Sequence, residues 1–152
     1  MIPKLFDGVL PIGIYTCTLD EVAHFFGRFN RSDQRPRLTE KLKQYVIDVR
    51  KSGIANAVIV DGSYITQKPE PGDIDLILAL RADFDLAQEL RPFEYNVQSK
   101  RMVSRLYGFD VLPAVDGSVA YDKYISDFSR VRLDDREQTS SQRYKGLLRI
   151  EL

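Results

Sequence analysis

With 152 residues the chain is long enough for one domain with a real core and too short for two ordinary ones. Lys plus Arg and Asp plus Glu each total 22, so the formal charge is zero; a global positive field for gathering nucleic acid is excluded, and any basic patch must be local. Cys17 is the only cysteine and His24 the only histidine, which rules out an intramolecular disulfide and a thiolate metal cage, argues against zinc, and predicts a reducing, cytoplasmic setting.

Nothing in the chain approaches the roughly 18 consecutive apolar residues that a bilayer span needs, and no charged segment followed by an apolar core opens it, so a soluble, unexported protein is expected. Residues 1–17 mix two Pro and two Gly with apolar residues, the composition of an extended arm packed on the body. Thr18 and Glu21 have the spacing of a capping box, predicting a short helix that runs to about Gly27. Phe25 and Phe26 are expected in its core and His24 partly exposed. Residues 28–38 are basic and polar with a proline, and read as a loop. Thr39 then offers a second cap, and Leu42, Tyr45, Val46 and Val49 recur at the spacing of an amphipathic helix that Gly53 should end.

From Asn56 the pattern changes. Ala57 to Val60 and residues 73–80 are β-branched or apolar runs typical of central strands, separated by QKPEPG, which can continue neither. Residues 84–91 and 97–107 have helical content, and 108–115 is a third strand candidate. The second Asp-Gly-Ser, at 116–118, reads as a turn. A charged loop is expected over 130–145, followed by a last edge strand in LLRIEL. The fold class is therefore α/β (α+β): a mixed central sheet of four to five strands flanked by helices, forming a single domain over 1–152.

The segment that carries chemistry is DGSYITQKPEPGDIDLIL, residues 61–78. Asp73 and Asp75 interrupt an apolar run, and a strand's period of two turns both to one face, roughly 6.6 Å apart. A carboxylate at such a half-buried position is costly unless it is paired or bound to a cation, for which magnesium is the natural choice.

Gly62-Ser63, nine intervening residues, then Asp73-Ile74-Asp75-Leu76 resembles the signature of the nucleotidyltransferase superfamily with the polymerase-β type fold. LPIGIYTCTLDEV, DGSYITQKPEPGDIDL and KGLLRIEL together look like a family of small prokaryotic proteins of that superfamily. The resemblance implies two magnesium ions, with manganese able to substitute, held by Asp73 and Asp75 and completed by a third carboxylate on an adjacent strand, for which Asp110 is the candidate. It also implies phosphate binding by Gly62, the Ser63 hydroxyl, the following amides at a helix start, and Lys68. The reaction implied is transfer of a nucleoside monophosphate from a triphosphate, most readily ATP, to a hydroxyl on protein, tRNA or a small molecule. By analogy, such minimal transferases serve in toxin-antitoxin or phage-defence pairs.

The chain departs from the pattern where many bacterial members carry an Arg soon after the Gly-Ser; here Tyr64 to Gln67 precede Lys68, which implies a weaker phosphate grip. No helical domain of the kind with which larger relatives select an acceptor is expected in these 152 residues, which leaves the acceptor open. Plainer readings stand beside these: Asp73 as a solvated turn residue, Asp110 paired to Arg101 or Arg105, and Asp61 as a strand-end acceptor for local amides. Lys100, Arg101 and Arg105 read as a solvated face. Arg136, Arg143 and Lys145, interleaved with Asp134, Asp135 and Glu137, are a candidate clamp for phosphates or RNA. The competing functions are a catalytically degenerate binder of nucleotide or partner, and a structural subunit whose acidic strand pairs with Arg.

Overall fold

A computed structural model describes residues 1–131 and 143–152. The sheet has five strands, β1 (Ile14–Cys17), β2 (Ala55–Asp61), β3 (Asp75–Leu80), β4 (Asp110–Val115) and β5 (Leu147–Glu151), in the order β1-β5-β2-β3-β4. β1 runs parallel to β5 and β3 parallel to β4, while β2 is antiparallel to both of its neighbours. This is the mixed sheet expected. The closing segment, however, is not an edge: β5 lies between β1 and β2, and the N-terminal arm supplies the edge strand instead. Its apolar run Leu147, Leu148 and Ile150 is buried, as suits a strand covered on both faces. Pro113 is tolerated in β4 because that strand is the opposite edge.

One face of the sheet carries Val58, Val60, Leu76, Leu78 and Ile150. Helices α1 (Leu19–Phe26), α2 (Gln34–Ser52), α3 (Pro92–Gln98) and α4 (Lys100–Tyr107) supply the core residues of that cluster, with Leu42, Tyr45, Val46 and Val49 of α2 buried as their spacing predicts. The other face, with Ala57, Ile59, Ile77 and Ala114, packs against α5 (Val119–Phe128) through Tyr121. α5 starts at the second Asp-Gly-Ser, where the Ser118 hydroxyl accepts from the Tyr121 amide at 3.2 Å. The turn reading holds there, but the pattern of residues does not predict the helix beyond it. No helix among the described residues is long and apolar enough to cross a membrane.

Several local expectations change. The Thr18–Glu21 capping box is present and Gly53, at φ 68°, ends α2. α2 nevertheless begins at Gln34, five residues before Thr39, because Pro36 falls in the first turn, where a missing N–H costs no helical bond. Thr39 is an interior residue whose hydroxyl donates to Arg35 C=O at 2.8 Å. Residues 84–91 form no helix but one turn at 86–88, with Asp85 accepting from the Ala87 amide at 2.9 Å; the segment is short and Pro92 holds Arg91 extended. The helical stretch after it is two helices, broken at Ser99, whose hydroxyl caps α4. Phe26 is buried but Phe25 is 39% exposed, so only the first belongs to the core.

Arg35, read from sequence as part of a basic loop, is 5% exposed. Its guanidinium donates to the carbonyls of Phe26 at 3.1 Å, Tyr64 at 2.7 Å and Thr66 at 2.8 Å, and also to that of Lys68. It lies 5.7 Å from the Tyr64 ring centroid, and the Tyr64 hydroxyl meets Thr39 Oγ1 at 2.5 Å. One side chain thus ties the loop after β2 to the start of α2. Burial lowers the Arg35 pKa, but the carbonyl dipoles satisfy its donors. Arg35→Met leaves those carbonyls without their partner and is expected to destabilise the fold by about 3 kcal/mol, read by urea denaturation; an unchanged midpoint would show that the loop holds without it.

Candidate active site

The strand register decides which carboxylates meet. Asp61 is the partner of Asp75 across β2 and β3, and Asp75 the partner of Asp110 across β3 and β4. Counting in twos from Ile59 and Ile77, both in the α5-side cluster, puts Asp61 and Asp75 on that same face, and the Asp75–Asp110 register extends the row to the edge strand. Adjacent strands lie about 4.8 Å apart, so three carboxylates form one row across the sheet. They open into a cavity of about 490 Å³ whose wall also includes Gly62, Ser63 and Asp73. Lys100, Arg130 and Lys145 are the basic residues on its lining.

Asp73 precedes β3 rather than lying in it, so the period of two does not position it. Its Oδ1 accepts from the Ser63 amide at 3.0 Å and from the Ser63 hydroxyl. Desolvation by itself would raise its pKa, but these two bonds, with Lys68 and Lys145 nearby, hold it below the ordinary carboxylate range. The Ser63 hydroxyl also accepts from the amides of Gly72 at 3.2 Å and Asp73 at 3.4 Å, and the Tyr64 amide donates to Asp73 C=O at 3.2 Å. The expected phosphate cradle is therefore taken up within the protein. The chain leaves Gly62 in one 3-10 turn, Ser63–Ile65, rather than in the helix start expected. Gly62, at φ 96°, is required by close approach: a Cβ there would come 2.9 Å from Asp73 O and 3.0 Å from Asp75 N. Lys68 is exposed and does not line the cavity.

Asp110 is exposed at the start of β4, and among the described residues no salt bridge joins it to Arg101 or Arg105. Asp61 is 5% exposed, and its Oδ1 lies 2.6 Å from Lys145 Nζ, a close ion pair that offsets the cost of burying the carboxylate. Burial pushes the Asp61 carboxyl up, against the opposing pull of Lys145 and the Gly62 amide. The local-amide role expected of Asp61 holds only in part; its main partner is a lysine from the far end of the chain. The sequence signal was its parity, since a carboxylate closing the run ANAVIVD on the same face as Ile59 is as unusual as Asp75. Arg143 donates to Asp7 C=O at 2.6 Å, whereas Arg136, Asp134, Asp135 and Glu137 lie outside the described residues, as does most of the charged loop expected over 130–145.

An oxygen-only set of carboxylates suits a hard divalent cation, and Asp61 already accepts a positive charge at close range. Among the described residues no three His, Cys, Asp or Glu side chains converge on one point in the arrangement seen. Residues 4–151 match a family described as "Family of unknown function (DUF6932)". The chain belongs to that family. No curated protein and no solved structure matches it.

The Ser63 clasp has a measurable signature. Because the folded pKa of Asp73 is depressed, its contribution to stability is present above the ordinary value of 3.8 and is lost as pH falls through the folded value. Ser63→Ala removes the hydroxyl bond and should move the Asp73 midpoint up toward 3.8 in a carboxyl-carbon NMR titration; an unmoved midpoint would mean that the Ser63 amide and the nearby lysines set it.

Proposed function

We propose that the protein is a small magnesium-dependent nucleotidyltransferase, moving a nucleoside monophosphate from a triphosphate, ATP first, to a hydroxyl on a protein, an RNA such as tRNA, or a small molecule. The observation that carries this reading is the register of Asp61, Asp75 and Asp110 on three adjacent strands, facing one cavity with basic residues on its lining. Divalent ions, when bound, would supply charge neutralisation and alignment for the triphosphate. Asp75 and Asp110 would hold them, with Asp73 at the rim and Asp61 at the buried end of the row. Lys100 and Arg130, on the cavity lining, would meet the phosphates and add to a grip left weak by the bonding of Ser63 to Asp73 and the outlying place of Lys68. A carboxylate of the row accepts the acceptor hydroxyl's proton as its oxygen bonds to the α-phosphorus and the bond to pyrophosphate breaks. Cytoplasmic location and a part in toxin-antitoxin or phage-defence pairs belong to the same reading and rest on superfamily resemblance.

The engagement of Ser63 and its neighbouring amide by Asp73 favours a second reading, a degenerate relative that binds nucleotide or partner without turnover. Pyrophosphate release from each nucleoside triphosphate with magnesium separates the two. The wild type should release it and Asp75→Asn should lose on the order of 10²-fold or more. Equal release by both would falsify the assignment of this site, whereas calorimetric binding of a triphosphate that stays intact, with acceptors supplied, would establish the binder.

A further inference from the structure

The Lys145–Asp61 pair is the most deeply held ion pair in the described part of the chain, with side-chain exposures of 14% and 7%. It is also built, rather than a chance meeting of flexible groups. The Lys145 amide donates to Ser129 C=O at 2.8 Å, Gly146 N–H to Leu10 C=O at 2.9 Å, and Leu147 N–H to Gly13 C=O at 2.9 Å. These ties fix the backbone from Lys145 to Leu147, and any side chain at Gly146 would collide with the Pro11 carbonyl. The ammonium therefore starts from a fixed point and extends to the innermost carboxylate of the row.

An ammonium 2.6 Å from a carboxylate oxygen occupies the place where a cation ligand of that oxygen would sit. Both cannot occupy that position on Oδ1 together, since like charges at that separation repel strongly in a site largely shielded from water. We propose that Lys145 is the resident cation of this site: it neutralises Asp61 when no metal is bound, and a divalent ion enters the row only by displacing it. The inference rests on the metal-site reading above and deepens it, making Lys145 a positioning residue that sets how tightly the row takes a metal. It also accounts for a row in which three carboxylates stand in register without closing on one point.

The test is a titration of the full chain with MnCl2 alone, followed by the loss of the free-ion EPR signal, for wild type, K145M, K145R, D75N and the D61N/K145M pair. K145M should bind manganese at least tenfold more tightly than wild type, K145R should stay near wild type, and D61N/K145M should lose the gain. Binding by K145M with none by wild type would also support the proposal. Wild-type binding that D75N abolishes but K145M leaves equal or weaker would overturn the role of Lys145 while sparing the metal site. If neither wild type nor K145M binds, the metal-site reading fails and the inference with it. Should K145M fold poorly because Asp61 is left buried and unpaired, its thermal midpoint in MnCl2 against NaCl of equal ionic strength gives the same answer. A specific rise supports displacement; none overturns it.

Discussion

Carboxylates gathered at one end of a sheet repel each other, and the way this chain balances them shapes everything around the cavity. Asp61, buried and costly to ionise, is met by Lys145. Asp73 is met by the amide and hydroxyl of Ser63, and only an unsubstituted Gly62 lets that turn lie against residues 73–75. Asp75 lies between Asp61 and Asp110 in register, so it feels both neighbours through the spacing of the ladder itself. Each solution uses a different part of the chain, and together they tie the end of β2, the start of β3 and the strand β5 into one assembly.

Arg35 plays the corresponding role beneath the loop. A guanidinium with several donors satisfied by carbonyls of Phe26, Tyr64, Thr66 and Lys68 substitutes for the regular ladder that residues 62–68 cannot form. The Gly-Ser turn is held from below by this side chain and from the side by Asp73. Sequence placed Arg35 in a basic loop because Pro36 looked like a breaker, although proline in the first turn of a helix removes no bond. An error of a few residues in a helix start thus hid the residue that anchors the candidate site.

Legibility followed the range of the interaction. The capping box at Thr18, the Gly53 terminator, the α2 stripe and the runs in β2, β3 and β4 were readable because each depends on neighbours a few residues away. Residues 84–91 were misread because helical composition says little about a short segment ending before a proline. α5 went unseen between a recognisable turn and a charged stretch, since VAYDKYISDF buries only Tyr121 fully and its apolar stripe is thin. At the site, Asp75 and Asp110 were legible as carboxylates in apolar strands, whereas Asp73 lies before β3 and is placed by Ser63 rather than by the strand's period. The part of Asp61 was not legible, because its partner Lys145 is 84 positions away in the chain and only the pairing of β5 with β2 brings that end of the chain near.

The sequence alone determined the class of fold, the central strands and the pairing of a glycine-serine turn with two nearby aspartates, because hydrophobic period and turn chemistry are local properties. Only the tertiary structure decided which carboxylates share a row, that the serine serves Asp73 rather than standing open, and that a late lysine fills the innermost position. Those outcomes depend on strand order and register, and a register is set by burial across the whole sheet rather than by any residue's immediate neighbours.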